Sequence, residues 1–412
     1  MYYTTPGSYY SKRFADGRVY LIDKKGEFPT GLLPMVNKWF VDNSYEFERV
    51  NLTKRPQSSE TRFKLQMDLT PYPYQENLMA RLPGAFRGTI AAITGSGKSI
   101  MMAMLINKLQ LRTLVIVPNL TLKAQLTEVF TKLFGKLASR DLRVEFFGDK
   151  VLTDCKDYDL LIIDEAHHSS CSTIRDLNKS AWQNIYYRYF FTGTPFKALE
   201  EDQIILKSII GDVIHEVTYE DALSANTIVP VEAFYVDVPK VPLDNNDVAW
   251  AKVYNKIVVN NRIRNKIIAL FVTALKAAKA STIILVKEIE HGQILSDMTG
   301  CHFVQGENKD NAQALQMFNL GQTQMIGTVG VLGEGADTRP TEWIIIAGLG
   351  KSKPAFMQMV GRGLRKFPGK KSVKVLLFRD PSHKWGMDHF RAQCKTLLEE
   401  YGAKPVKLEI EV

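Results

Sequence analysis

The sequence predicts an α/β protein: two successive lobes built on parallel sheets, preceded by a small α+β domain. Three observations predict it. From about residue 67 onward, short apolar runs alternate with helical stretches, the pattern of a parallel sheet covered by helices. The alternation pauses and restarts near Val231, which makes two sheets rather than one. The first 66 residues lack it and hold 12 aromatics, an enrichment over the 10% of the whole chain.

In residues 1–66, Arg18–Ile22 reads as a strand closed by the turn signal Asp23-Lys24-Lys25-Gly26. Leu33, Val36, Trp39 and Phe40 share one helical face, and Tyr45–Val50 alternates like a half-buried strand. The aromatics are assigned to a core in preference to a base-stacking platform. With 11 Lys/Arg against 7 Asp/Glu this region is modestly basic, and Lys54–Glu60 reads as a linker. The first lobe, 67–230, has candidate strands Thr89–Ile93, Thr113–Val117, Val144–Phe147, Leu160–Ile163 and Tyr189–Thr192. The second, 231–380, has Ala233–Val238, Thr282–Val286, Met325–Thr328, Trp343–Ala347 and Val373–Phe378. Residues 381–412 read as a helix, Asp388–Tyr401, and a tail. Each of the second lobe's strands ends near polar or glycine-rich sequence, where ligands gather in open α/β sheets.

Composition narrows the class. At 45% hydrophobic and 24% charged the chain is globular rather than disordered. Its 53 Lys+Arg against 44 Asp+Glu give +9, a mild bias toward polyanion partners. Four cysteines (Cys155, Cys171, Cys301, Cys394) lie far apart with no CxxC pair, which argues against a disulfide framework or zinc site. The apolar runs fall well short of the ~20 residues of a membrane span. No charged-then-apolar leader precedes a cleavage site, so the expected location is the cytoplasm.

The chemistry sits in three stretches. Ala92-Ile93-Thr94-Gly95-Ser96-Gly97-Lys98-Ser99 lies between a strand and a helix, the setting of a phosphate-binding loop. Its glycines let backbone N–H groups face a phosphate, and the helix N-terminus adds a favourable field. Lys98 suits the β- and γ-phosphates of ATP and Ser99 a Mg²⁺ ion, although Ala92 stands where the usual first glycine would be. Leu161-Ile162-Ile163-Asp164-Glu165-Ala166-His167 is an apolar strand ending in two carboxylates. Asp164 is the candidate Mg²⁺ ligand, Glu165 the base for an attacking water, and His167 a link to neighbouring elements. The third stretch, Gln358-Met359-Val360-Gly361-Arg362-Gly363-Leu364-Arg365, places Arg362 and Arg365 one helical turn apart, suited to the charge on a transferring phosphoryl. Gln358 would touch the γ-phosphate from the same helix. Lys366, Lys370 and Lys371 extend the basic run as a solvated or backbone-contacting face.

Weaker signals surround these. Thr192 and Thr194, in Thr192-Gly193-Thr194-Pro195, suit a relay of the γ-phosphate state. Gln75, after Pro73-Tyr74, matches the donor and acceptor of adenine. Thr328 ends a strand as a candidate contact to a nucleic-acid phosphate, and in the loop Gly333–Asp337, Gly335 and Asp337 are candidates for nucleotide contact, Asp337 toward the ribose or the partner lobe.

The ordered set resembles the superfamily 2 helicases over residues 69–380: glutamine motif, phosphate-binding loop, Val115–Gln125 as motif Ia, DEAH box, TGTP, Thr328–Asp337 as motif V and QxxGRxxR as motif VI. Within that superfamily it is most similar to the compact UvsW-type phage branch-migration helicases, with XPB and RecG as more distant relatives. Phe28-Pro29-Thr30-Gly31-Leu32-Leu33 and Lys351-Ser352-Lys353-Pro354 carry the narrower likeness. The resemblance implies two tandem RecA-like lobes with ATP and Mg²⁺ bound between them and DNA crossing the opposite face, touched by Pro118 and Asn119 of motif Ia and by Thr328. It further implies a DNA-dependent ATPase that remodels branched DNA and acts as a monomer, with residues 1–66 gripping duplex. The sequence departs from the family between motif Ia and the DEAH box, where Val144–Asp159 shows no clear motif Ib, and no long insertion offers a wedge. Three alternatives stay open: an RNA helicase, a restriction-type DNA translocase subunit, and a non-catalytic nucleic-acid-binding module that merely holds nucleotide. A phosphoryl-transfer kinase is disfavoured, because the distal arginines would have no purpose.

Overall fold

The structure is a computed structural model that describes residues 2–4, 18–48, 50, 54–58, 62–135, 141–147, 152, 155–166, 169, 172–193, 200–244, 249–306, 310–321, 324–328, 338, 340–348 and 350–410. The chain divides into two compact units, Met1–Ile93 with Gly97–Val217 and Thr94–Ser96 with Thr218–Val412.

The first unit opens with two short antiparallel strands, β1 (Tyr2–Thr4) and β2 (Arg18–Tyr20). Its main sheet holds β3 (Arg87–Ala92), β4 (Thr113–Val117), β5 (Leu142–Phe146), β6 (Leu160–Ile163), β7 (Tyr187–Thr192) and β8 (Val213–Val217). The order is β5-β4-β6-β7-β3-β8, with every pair parallel. β4, β6 and β7 are buried at every residue, whereas the edge strands β5 and β8 mix buried and partly exposed positions. That contrast follows from geometry: a parallel strand covered by helices on both faces must be apolar throughout, and an edge strand need not be. Leu114, Ile116, Leu161, Ile163, Trp182 and Phe190 lie at the centre of one of its cores.

The N-terminal segment is fastened to this unit by close backbone packing. A Cβ on Gly31 would sit 2.3 Å from the Lys207 carbonyl oxygen and 2.4 Å from that of Ser208, so only glycine lets the turn Thr30–Leu32 lie against helix Glu200–Ile210. Thr30 Oγ1 accepts from Arg87 Nη1 at 2.5 Å. The expected linker is pinned too, since Arg55 Nε donates to Tyr187 Oη at 2.9 Å. Further on, the Gln110 side chain brackets Phe63: its Oε1 accepts from Phe63 N and its Nε2 donates to Phe63 O, each at 2.8 Å.

Two expectations for this region are corrected. The stripe Leu33, Val36, Trp39 and Phe40 does form a helix, Leu33–Asp42, but none of that helix is buried. Among the described residues, Tyr45–Glu48 and Val50 form no strand and no strand pairs with them. Trp39, Tyr45 and Phe47 are 52%, 58% and 42% exposed, so these aromatics are not core. They cluster with Phe40 instead, Trp39 stacking on Tyr45 at 5.5 Å between ring centroids.

The second unit holds β9 (Val231–Asp237), β10 (Thr282–Val286), β11 (His302–Val304), β12 (Met325–Thr328), β13 (Trp343–Ile346), β14 (Val373–Arg379) and β15 (Val406–Lys407). They pair in parallel in the order β11-β12-β10-β13-β14-β9-β15. Ile284, Val286, Ile326, Ile345 and Leu376 form the centre of the core. The C-terminal helix spans Lys384–Tyr401, starting four residues earlier than expected because His383 caps it by accepting from Trp385 N. Among the described residues no helix is long and apolar enough to cross a membrane.

Candidate active site

The order β6-β7-β3 makes the site. In parallel strands all carboxyl ends open at one edge of the sheet. Ile163 pairs with Phe190 and Ala91 with Thr192, so the residues following β6, the end of β7 and the loop after β3 meet there. These places carry Asp164-Glu165, Thr192 and the phosphate-binding loop. β6 is buried and apolar throughout, β3 is so over Ile90–Ala92 and β7 over Tyr189–Phe191, and the polar chemistry begins where the sheet ends.

The loop turns sharply into helix Lys98–Leu109. Gly97 is the N-cap with φ +82° and ψ +37°, a left-handed conformation that resists a Cβ. Ile100 N and Met101 N both donate to Gly97 O at 3.0 Å, which starts the helix and leaves earlier N–H groups facing out of its end. Lys98 Nζ lies 3.5 Å from Glu165 Oε1 and donates to Ala92 O at 3.4 Å. The alanine in the first-glycine position thus supplies a backbone oxygen to the loop lysine.

Asp164 is 8% exposed. Burial raises its carboxyl well above the ordinary carboxylate range, the neighbouring charge of Glu165 raises it further, and Lys98 pulls the other way. Asp164 Oδ1 accepts from Glu165 N at 2.9 Å, and Glu165 takes a left-handed φ of +46° that the chain rarely adopts outside glycine. Such a conformation costs about 1–3 kcal/mol and persists only where the surroundings enforce it. Sequence reading gave no sign of it.

Gln75 is 2% exposed on helix Pro73–Arg81, and its Oε1 accepts from Tyr72 N at 3.1 Å. Its Nε2 lies against the loop, 2.9 Å from where a Gly97 Cβ would stand. The structure therefore unites Gln75, Gly97, Lys98, Asp164 and Glu165, with the fully buried Thr192 on the intervening strand. Ser99 is the second residue of the loop helix. Thr94, Gly95 and Ser96 cluster with the second unit. Pro118 and Asn119 follow β4, where Asn119 caps helix Leu120–Phe134 by accepting from Leu122 N at 2.9 Å. His167, Thr194, Gly335 and Asp337 lie outside the described residues.

In the second unit Thr328 is the last residue of β12. Gln358 and Arg362 lie on helix Lys353–Leu364. Arg365 corrects the expectation of two arginines on one helical face: the helix ends at Leu364, and Arg365 leaves it extended, with φ −62° and ψ +137°. An antiparallel bridge from Ile228 captures its backbone, and Val229 N donates to Leu364 O at 2.9 Å. A buried polar network that sequence reading missed lies elsewhere in this unit. Arg264 donates to Ala347 O from Nη2 at 2.7 Å, and His291 Nε2 pairs with Asn265 Oδ1 at 3.0 Å.

Known proteins agree with this architecture. The family profile of the type III restriction enzyme res subunit matches residues 68–157. A putative ATP-dependent helicase of Saccharomyces cerevisiae, IRC3, is 24% identical over 346 residues, covering 72% of this chain and 48% of that protein. The ATP-dependent DNA helicase uvsW of Enterobacteria phage T4 is 20% identical over 410 residues, covering 88% of this chain and 80% of that one. The chain spans about half the length of the first curated relatives it matches. Among solved structures, a fragment of a putative HsdR subunit of a type I restriction enzyme from Vibrio vulnificus YJ016 superposes with TM-score 0.61 at 19% identity, over 82% of this chain and 69% of that chain. The fold is that of tandem RecA-like helicase lobes. By sequence the chain is similar to proteins described as helicases, at 20–24% identity.

Proposed function

We propose that this chain is a DNA-dependent ATPase of the superfamily 2 helicase type, a motor that remodels forks, D-loops, R-loops and four-way junctions. The observation that carries the reading is the meeting of Lys98, Asp164 and Glu165 at one edge of the first sheet. The substrate is ATP. Exposed N–H groups of the loop and Lys98 would hold its phosphates, and Gln75 its base. The residues fit a divalent cation: a buried carboxylate with raised proton affinity and a hydroxyl at the helix start are hard oxygen donors whose burial an ion relieves. Asp164 and Ser99 would hold Mg²⁺, which supplies Lewis-acid polarisation of phosphoryl oxygens.

Glu165 is the base that orients and deprotonates the attacking water. Lys98 leans on it in this structure, and a bound triphosphate would draw the lysine away and leave the carboxylate available. Arg362 and Arg365 would offset charge on the transferring phosphoryl, a contribution worth ~10³–10⁵ in rate in other phosphoryl-transfer enzymes. Those arginines belong to the second unit, and dependence of the rate on nucleic acid is the expected behaviour of a motor of this type. Thr192 and, by expectation, His167, Thr194, Gly335 and Asp337 serve coupling and nucleotide contact, while Pro118, Asn119 and Thr328 serve the DNA backbone. Sequence-neutral phosphate contacts of this kind weaken steeply with salt.

The res-subunit profile favours one second reading, a restriction-type DNA translocase subunit. Labelled four-way junctions, forks and linear duplexes carrying a third strand separate the two in a gel assay with ATP. Resolution of junctions and regression of forks supports the branched-DNA reading. Displacement of the third strand without action on any branched substrate favours the translocase.

A further inference from the structure

Lys370 stands apart from the basic run that contains it. Lys366 and Lys371 are exposed, while Lys370 is partly buried and turned inward. Its Nζ donates to Gly363 O at 2.5 Å and to Arg365 O at 3.0 Å. These carbonyls flank the end of helix Lys353–Leu364, where the last turn lacks intrahelical donors and the helix field favours a cation. The turn that returns the lysine is short: Lys370 N donates to Phe367 O at 3.0 Å, and Gly369 takes φ +83°. On the other side, Val229 N and the Ile228 bridge hold the same exit. The chain therefore changes from helix to extended conformation at Arg365 under a clamp of two independent parts. One is backbone pairing, and the other is a single side chain.

We propose that Lys370 is a positioning residue for Arg365: it fixes the direction in which that arginine leaves the helix, and so sets the fraction of molecules with the guanidinium ready for phosphoryl transfer. The proposal rests on the role given above to Arg365. Burial lowers the Lys370 amine to about 8, yet the neutral amine keeps N–H donors, so the clamp does not depend on its charge. A local role of this kind acts on the chemical step and leaves nucleotide affinity alone.

The test is DNA-stimulated steady-state ATPase of the full chain as wild type, Lys370→Met, Lys370→Arg, Lys370→Gln, Arg365→Ala and the double variant Lys370→Met/Arg365→Ala, each checked by thermal melting. Lys370→Met is expected to lose about tenfold in kcat with KM for ATP within about twofold, since a misplacement near 1 Å is worth that much or more. Lys370→Arg recovers most of the rate, and Lys370→Gln, one bond too short to span both carbonyls, stands in with the same expected tenfold loss should the methionine variant fail to fold. In the Arg365→Ala background, Lys370→Met costs no further activity, because both act through one group. Additive losses, or an undiminished kcat in Lys370→Met, overturn the proposal while leaving Arg365 in its role. An undiminished Arg365→Ala overturns that role, and the proposal with it.

Discussion

Gly97→Ala probes the phosphate-binding loop through two effects that the structure separates. The residue sits at φ +82°, where a Cβ meets its own backbone, a cost of roughly 1–2 kcal/mol. The same Cβ would stand 2.9 Å from Gln75 Nε2. Gln75 cannot swing away freely, since it is buried and its Oε1 is bonded to Tyr72 N. Overpacking of this sort costs roughly 1–3 kcal/mol. The sum, roughly 2–5 kcal/mol, lowers the melting temperature of the first unit by roughly 4–20 °C at the shift per kcal/mol expected for domains of 150–250 residues. Calorimetry on Gly97→Ala, Gln75→Ala and the double variant reads both parts. With the glutamine shortened the contact vanishes, and Gly97→Ala should then cost only the backbone part, roughly 1–2 kcal/mol. A cost below about 0.5 kcal/mol in the wild-type background, or one unchanged by Gln75→Ala, would refute the reasoning.

Three further outcomes follow from the geometry. Lys98→Met removes the ammonium beside Glu165 that would hold the phosphates, so ATPase activity should fall by at least ~10² while the melting temperature changes little; activity within a few-fold of wild type would contradict the site. His291 is fully buried, and burial lowers it to about 3, with the Arg264 charge adding to the effect. It stays neutral in the folded state while the unfolded chain takes up a proton near pH 6.5, so its contribution is whole above that pH and declines as pH falls toward 3. Guanidinium unfolding should therefore lose roughly 2–3 kcal/mol between pH 6.5 and 4.5 through this group alone, a slope that His291→Leu removes; an unchanged slope would count against it. Gly31→Ala should release the N-terminal segment from helix Glu200–Ile210, seen as faster proteolysis within residues 43–58; wild-type cleavage rates would show that the close approach is not what holds the segment.

What could be read from the sequence was what is local. Thr113–Val117, Thr282–Val286 and Met325–Thr328 are strands with the expected bounds, because a strand buried on both faces writes itself as an apolar run. Lys98, Asp164 and Glu165 were legible for the same reason, each lying within a few residues of a strand end. Patterns that depend on a partner misled. Tyr45–Val50 alternates in sequence, yet among the described residues Tyr45–Glu48 and Val50 pair with no strand, and no residue of Leu33–Asp42 is buried. The helix end at Leu364 was hidden, since Arg365 is a good helix former and the Ile228 bridge that pulls it away comes from more than a hundred residues upstream. The inward turn of Lys370 and the left-handed Glu165 likewise arise from tertiary packing, for which neighbouring letters carry no sign.

The central claim is that this chain spends ATP only when it holds DNA. Its most direct test is the steady-state ATPase rate without nucleic acid and with single-stranded DNA, duplex, a four-way junction or single-stranded RNA, at low and moderate salt, with Glu165→Gln as the blank. The account predicts strong stimulation by branched or single-stranded DNA that weakens with salt and disappears in Glu165→Gln. Stimulation by RNA alone would move the protein to the RNA helicases, and a rate indifferent to every nucleic acid would contradict the motor outright.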